Sequence, residues 1–269
     1  MYDSYRAFFG LQREPFATDL QLKEILETRE LQEVKARFDY ALRLGGLALV
    51  TGEIGSGKST ALRYAAGHLH PSEYQVFYVT ASSGSILELY RQVMAELGIE
   101  RSSTSRAVMT GLIRKQIIEL VESKKMKAVL VIDEASLLRL EVFAELHTLG
   151  QFRQDSKPWL PIILAGQGNL IDKLMYRASG PLASRIVARS HLEGLDQAGM
   201  KQYLEHHLRL AGIKTSFFDP AAVTAIHQGS GGLLRKANHL ARGALIAAAN
   251  SNSMSVIAEH VRLASTELF

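Results

Sequence analysis

The feature that most constrains this chain is a glycine-rich segment that joins an apolar run to a helical pattern. Residues 52–59 read Gly-Glu-Ile-Gly-Ser-Gly-Lys-Ser, and they follow the apolar run 47–50. In the spacing G-x-x-x-x-G-K-[ST], the glycines let the backbone wrap around phosphate oxygens with its N–H groups pointing inward. The helix that follows adds the partial positive charge of its amino terminus. We therefore predict a buried strand, a phosphate-binding loop and a helix, in this order.

The residue types in this loop predict ATP and Mg²⁺ as cofactors. Lys58 supplies positive charge for the outer phosphates, and Ser59 offers a hydroxyl oxygen to Mg²⁺. The predicted nucleotide-binding residues are Gly52, Glu53, Gly55, Ser56, Gly57, Lys58, Ser59 and Thr60.

A second candidate site lies at the end of another apolar run. Residues 127–132 show no alternation of polar and apolar side chains after Lys127, which is typical of a parallel strand buried on both faces. Asp133 and Glu134 end this run, so they would lie at the carboxyl edge of the sheet. Asp133 is predicted to hold the Mg²⁺, and Glu134 to orient or deprotonate the attacking water. Alone, the pair could cap the next helix; beside a phosphate loop we favour the catalytic interpretation.

Strand patterns alternate with helical patterns through the first two thirds of the chain. This alternation predicts an α/β fold, a parallel sheet with helices on both faces. After about residue 194 only helical patterns remain. We therefore predict an α/β domain over 1–193, which includes an amino-terminal segment 1–44, and a small all-helical domain over 194–269. The predicted strands are 47–50, 74–80, 127–132, 161–166 and a fifth that begins at Ile186.

Composition excludes several classes of site and protein. The chain has no cysteine, which excludes disulfides and thiolate chemistry. It has no run of eighteen or more apolar residues, and its first residues lack the apolar core of a secretory signal. We therefore expect a cytoplasmic protein without a membrane partner. The net charge of +4 permits a polyanionic partner without requiring one.

The phosphate loop, the acidic pair and the helical carboxyl-terminal third together resemble the AAA+ ATPases. The resemblance implies roles for further polar residues. Gln167, after the fourth strand, would sense the γ-phosphate, and Arg235 would touch it from the helical lid of the same chain. Arg185 would be an arginine finger that reaches the nucleotide of a neighbouring subunit, with Arg177 and Arg189 as competing candidates. At each position the alternative is an ordinary surface side chain.

Within the AAA+ superfamily the chain is similar to the ExeA-like ATPases. The similarity covers nearly the whole chain. Two positions depart from it, because Gly168 and Leu234 stand where relatives often have proline, and neither departure removes a catalytic group. The matching segments are 9–16, 43–53, 164–167, 203–212 and 230–232, the last followed by Arg235.

ExeA-like ATPases work in two settings, and the resemblance implies a different partner in each. One is the general secretion pathway, where a membrane segment and a cell-wall-binding domain usually follow the ATPase. The other is transposition, where stand-alone relatives resemble TniB, TnsC, IstB and MuB, assemble on duplex DNA with ATP, recruit the transposase and disassemble on hydrolysis. The chain length and the pI of about 9.2 favour transposition.

We therefore predict a slow ATPase, stimulated by assembly or DNA, that regulates transposition as a homo-oligomeric ring or filament. The alternatives are an ATPase of the general secretion pathway, a nucleotide-switch scaffold with little hydrolysis and, more distantly, a small-molecule kinase.

Contact with double-stranded DNA is predicted for two segments that line the central pore in oligomeric relatives. Hydroxyl groups and arginines there suit phosphate contacts, which position a protein without reading sequence and weaken with salt. The alternative is a solvated loop with a helix cap at Thr104 or Ser105. The predicted DNA contacts are Ser82, Ser83, Arg101, Ser103, Thr104 and Arg106.

Overall fold

The structure, a computed structural model, describes residues 4–100 and 103–266 of the chain. Within these residues, five strands alternate with helices up to residue 192, and four α-helices follow. The strands are β1 (Leu47–Gly52), β2 (Tyr74–Thr80), β3 (Lys127–Asp133), β4 (Ile162–Gly166) and β5 (Ile186–Leu192). The helices before β5 are α1 (Ser4–Phe9), α2 (Arg29–Leu44), α3 (Lys58–Gly67), α4 (Ile86–Glu96), α5 (Arg106–Ile118), α6 (Leu140–Leu146), α7 (Asn169–Met175) and α8 (Gly180–Ala183). Those after it are α9 (Gln197–Leu210), α10 (Pro220–Ser230), α11 (Leu234–Asn250) and α12 (Ala258–Thr266).

The strands form one parallel sheet in the order β2-β3-β4-β1-β5. The central strands are buried along their whole length, which explains their unbroken apolar sequences. Register pairs Thr51 with Gly166 and Thr80 with Asp133, so the carboxyl ends of β1 to β4 meet at one edge of the sheet. The predicted α/β fold with a helical carboxyl-terminal region is confirmed.

The chain divides into two compact units. The sheet unit consists of Arg29–Gly52 and Lys58–Leu192, and the helical unit consists of the segments before and after these together with Glu53–Gly57. The sequence predicted that residues 1–44 belong with the sheet, whereas the structure groups those before Arg29 with the carboxyl-terminal helices. The physical reason is apolar packing, because Tyr5, Phe9 and Phe16 are buried in the core of the helical unit.

No helix in the described part of the chain has the length and apolar character needed to cross a bilayer.

Candidate functional site

The glycine-rich segment forms the turn between β1 and α3, as its sequence predicts. Gly55 and Gly57 have φ angles of 84° and 98°, a left-handed backbone that glycine adopts without a Cβ penalty. Lys58 begins α3 and is 6% exposed, and its Nζ donates a hydrogen bond to the carbonyl oxygen of Gly52 at 3.0 Å. The lysine charge is therefore held at the start of the helix, where the helix dipole also favours anions.

Asp133 and Ser59 are brought together within the sheet unit. The Asp133 carboxylate is 5% exposed, and its Oδ2 accepts a hydrogen bond from the Ser59 hydroxyl at 2.7 Å. Its Oδ1 accepts the backbone N–H of Glu134 at 2.8 Å. Carboxylate and hydroxyl oxygens suit Mg²⁺, which usually takes one or two protein ligands and keeps several waters. These two residues therefore fit the predicted magnesium site.

Tyr78 also donates to Asp133, a contact that sequence reasoning missed. Its hydroxyl lies 2.5 Å from Oδ2 of that carboxylate. Burial, followed by the hydrogen bond to Asp133, raises the pKa of Tyr78 well above its ordinary value. The hydroxyl therefore stays protonated and continues to donate.

The backbone of Glu134 turns sharply where β3 ends. Its φ and ψ are 52° and 30°, in the left-handed region, and the short turn Ala135–Leu137 follows. Lys173 braces the chain beyond it by donating to the carbonyl oxygens of Ser136 at 2.6 Å and Leu138 at 2.7 Å. The direction of the Glu134 carboxylate is therefore set by a constrained segment.

Gln167 follows β4 at the same edge of the sheet as Asp133. Ile132 pairs with Leu164, and the carbonyl oxygen of Gln167 accepts the N–H of Leu170 at 3.0 Å. A Cβ on Gly166 would lie 2.8 Å from the backbone nitrogen of Ser136, so glycine is required for this close approach. The predicted sensor role for Gln167 remains a prediction.

Arg185 lies at the opposite edge of the sheet. It immediately precedes β5, and its carbonyl oxygen accepts the N–H of Leu47, the first residue of β1. Gly52 is therefore a strand length away, about 15–20 Å at the usual rise per residue. The Arg185 guanidinium donates to Asp155 at 2.6 Å and to the carbonyl oxygen of Pro181 at 2.8 Å. Within the sheet unit, it is therefore positioned away from Gly52.

Arg235 is the second residue of α11, in the helical unit. Its backbone N–H donates to the carbonyl oxygen of Gly55 at 3.2 Å, and a Cβ on Gly55 would lie 2.8 Å from the Cβ of Arg235. These contacts explain why Glu53–Gly57 groups with the carboxyl-terminal helices. The Arg235 side chain itself is exposed.

The described residues among the predicted DNA contacts lie in two loops and at the first residue of α5. Ser105 caps α5 and accepts the N–H of Val108 at 3.5 Å, while the Ser103 hydroxyl accepts the N–H of Ser105 at 3.1 Å. Arg106 forms an ion pair with Glu145 at 2.5 Å. The turn therefore contains a helix cap at Ser105, which is the alternative to DNA contact. Arg101 lies outside the described residues.

The loop after β2 has a positive neighbour that the sequence did not reveal. Ser82 and Ser83 are exposed, as is Thr104 in the other segment. The Nε of Arg139 donates to the carbonyl oxygen of Ser83 at 2.8 Å. DNA contact by these residues remains a prediction.

Comparisons with known proteins identify similar sequences and similar folds. Residues 42–174 match the family described as AAA domain. The chain is 30% identical over 266 residues to general secretion pathway protein A of Aeromonas hydrophila, covering 98% of this chain and 48% of that protein. The chain therefore spans about half the length of this relative.

Two solved structures show the same fold. Cdc6p of Pyrobaculum aerophilum has a TM-score of 0.74 at 17% identity, covering 94% of this chain and 70% of that one. The ORC1 protein of Aeropyrum pernix, solved in complex with DNA, has a TM-score of 0.68 at 19% identity, covering 94% and 68%. At these identities the likeness concerns the fold. This chain therefore has the fold of the AAA+ ATPases, and its residues 42–174 match the AAA domain family.

Proposed function

We propose that this chain hydrolyses ATP to ADP and phosphate and uses the nucleotide to control its own assembly. The observation that carries the proposal is the Ser59–Asp133 hydrogen bond, with Lys58 and Glu134 adjacent to it in sequence. A buried carboxylate, a hydroxyl and a lysine at the start of a helix form the set of groups that a magnesium-bound triphosphate requires.

Each polar residue then has a separate task. Lys58 and the loop N–H groups hold phosphate oxygens, and Ser59 and Asp133 hold the Mg²⁺, whose charge offsets that of the phosphates. Glu134 accepts a proton from the attacking water or orients it. Gln167 positions the water or the γ-phosphate. Arg235 contacts the γ-phosphate.

The position of Arg185 supports an assembly of several copies. Because it lies a strand length from Gly52 of its own chain, it can stabilise transition-state charge only at the loop of a neighbouring copy. Such a contact is head-to-tail, and it generates either a ring or a filament. Hydrolysis and assembly are then coupled.

The cellular setting that we favour is a secretion pathway. The support is the match to general secretion pathway protein A, which extends over 98% of this chain. This differs from the transposition role that the sequence analysis favours.

Regulation of transposition on duplex DNA is the second candidate. Its support is the net charge of +4 and the exposed loop of Ser82 and Ser83, next to Arg139. Arg106 supports it less, since Glu145 already neutralises that guanidinium.

The proposed ATPase is tested with Lys58→Ala and a surface control. We expect phosphate release in the wild type to require Mg²⁺, and the assembly measured by sedimentation to differ between ATP and ADP. Lys58→Ala should abolish both, whereas Lys115→Ala, at an exposed position of α5, should change neither. A wild type that binds no ATP would refute the proposal.

The two settings are separated by DNA binding and by secretion. With ATP saturating at low salt, a transposition regulator binds duplex DNA, and added salt weakens the complex. For a secretion ATPase we expect no such binding. Deletion of the gene in its host should instead lower the amount of secreted protein, which the wild-type gene restores and the Lys58→Ala gene does not.

A further inference from the structure

Tyr78 makes a polar contact that its place in the sheet does not require. It lies on β2, the edge strand beside β3, and it pairs with Val131. Its neighbours Phe77 and Val79 point to the other face of the strand and are buried in the core. Those two residues are the buried positions of β2, while the Tyr78 hydroxyl is directed to Asp133.

The register of β2 and β3 explains how Tyr78 reaches that carboxylate. Thr80 pairs with Asp133, so Tyr78 is the diagonal neighbour of Asp133 on the same face of the sheet. An aromatic side chain can span such a diagonal. The contact is therefore built into the strand pairing.

The Asp133 carboxylate accepts hydrogen bonds from three residues. Glu134 donates to Oδ1, whereas Ser59 and Tyr78 both donate to Oδ2. Ser59 is also the predicted magnesium ligand, so its oxygen has a second task. Tyr78 is not a predicted ligand, and it reaches this carboxylate from the neighbouring strand.

We propose that Tyr78 is a positioning residue for the magnesium site, which fixes the rotation of the Asp133 carboxylate so that it meets the cation in a single orientation. This inference rests on the proposed function. Groups that orient a metal ligand in this way typically contribute about 10- to 100-fold to metal affinity. Loss of the Tyr78 hydroxyl should therefore raise the Mg²⁺ concentration needed for half-saturation. It should not lower the affinity for the nucleotide in the absence of Mg²⁺.

The test compares Tyr78→Phe with Tyr74→Phe by equilibrium binding of a fluorescent ATP analogue. Tyr74 is a matched control, because it begins the same strand and its hydroxyl accepts a 3.3 Å hydrogen bond from Lys127, away from Asp133. Affinity is measured in EDTA and then against rising Mg²⁺, so no turnover is needed. We expect Tyr78→Phe to raise the half-saturating Mg²⁺ concentration about tenfold or more. Its affinity in EDTA and its thermal midpoint should stay close to those of the wild type, and Tyr74→Phe should behave as the wild type throughout.

Three results would overturn the inference. If Tyr78→Phe responds to Mg²⁺ as the wild type does, Tyr78 does not position the carboxylate. If its EDTA affinity and thermal midpoint fall together with its Mg²⁺ response, the hydroxyl has only a structural role. If the wild type binds no ATP analogue at any Mg²⁺ concentration, the proposed function fails, and the inference that rests on it fails with it.

Discussion

Glu134 shows how a single residue can be held in an unfavourable conformation at a candidate functional site. Its left-handed backbone costs an ordinary side chain about 1 kcal/mol or more, whereas glycine and asparagine adopt it more easily. Its N–H is fixed by Asp133, and the loop after it is held by Lys173. The chain therefore keeps a carboxylate where another residue would be more stable.

Glu134→Asn should separate stability from activity. Relief of the strain should raise the thermal midpoint by about 2–4 °C per kcal/mol for a protein of this size. Loss of the base should lower phosphate release by about 10²- to 10⁴-fold, measured in single-turnover assays, without weakening ATP binding.

The control for this substitution is Lys125→Asn. Lys125 has a φ of 57° and is exposed, so the same relief of strain should stabilise the protein while hydrolysis is unchanged. Hydrolysis at the wild-type rate by Glu134→Asn would show that the carboxylate has no part in the reaction.

At the level of strands and helices, local sequence predicted where strands and turns occur along the chain. It did not predict which strands are neighbours in the sheet or which residues pair between them. The run 127–132 identified β3, and the loop 52–59 identified the β1–α3 turn, because each signal is local. The insertion of β4 between β3 and β1 depends on packing of the whole sheet. The Tyr78 contact with Asp133 depends on strand register, which no local pattern specifies.

Helix α9 carries His207, a histidine whose effect on stability is apparent only from its packing in the structure. His207 is buried in the helical unit, where it stacks on Phe16 at 5.2 Å and lies 4.5 Å from Tyr203. Burial first, and then the charges of His206 and Arg13, lower the pKa of His207 from 6.5 to about 3. The folded protein therefore keeps this imidazole neutral.

The free energy of unfolding should fall as the pH drops below 6.5. The unfolded chain binds a proton at His207 near that pH, whereas the folded chain does not until about pH 3. This group alone thus removes stability between those values, by roughly 1 kcal/mol per pH unit. Urea unfolding at pH 7 and pH 5 should show this loss in the wild type and in His239→Gln, an exposed control, and a smaller loss in His207→Gln. An equal loss in all three would contradict the assignment.

At the level of the whole molecule, the sheet separates Arg185 from the carboxyl ends of its own strands. In the single chain that arginine is neutralised by Asp155. Asp155 ends a run of left-handed residues that begins at Arg153. We interpret this ion pair as a resting contact, which a neighbouring nucleotide would replace.

A mixing experiment tests whether Arg185 acts on a second copy. Arg185→Ala lacks the finger and Glu134→Gln lacks the base, so each alone should hydrolyse ATP about 10³-fold more slowly than the wild type. In an equal mixture, the intact loop of one variant meets the intact arginine of the other at about a quarter of the head-to-tail contacts. Phosphate release should therefore recover to a comparable fraction of the wild-type rate. A mixture as inactive as its components would exclude Arg185 as the finger. If Arg177→Ala or Arg189→Ala is inactive alone and recovers activity when it is mixed with Glu134→Gln, the finger role belongs to that residue.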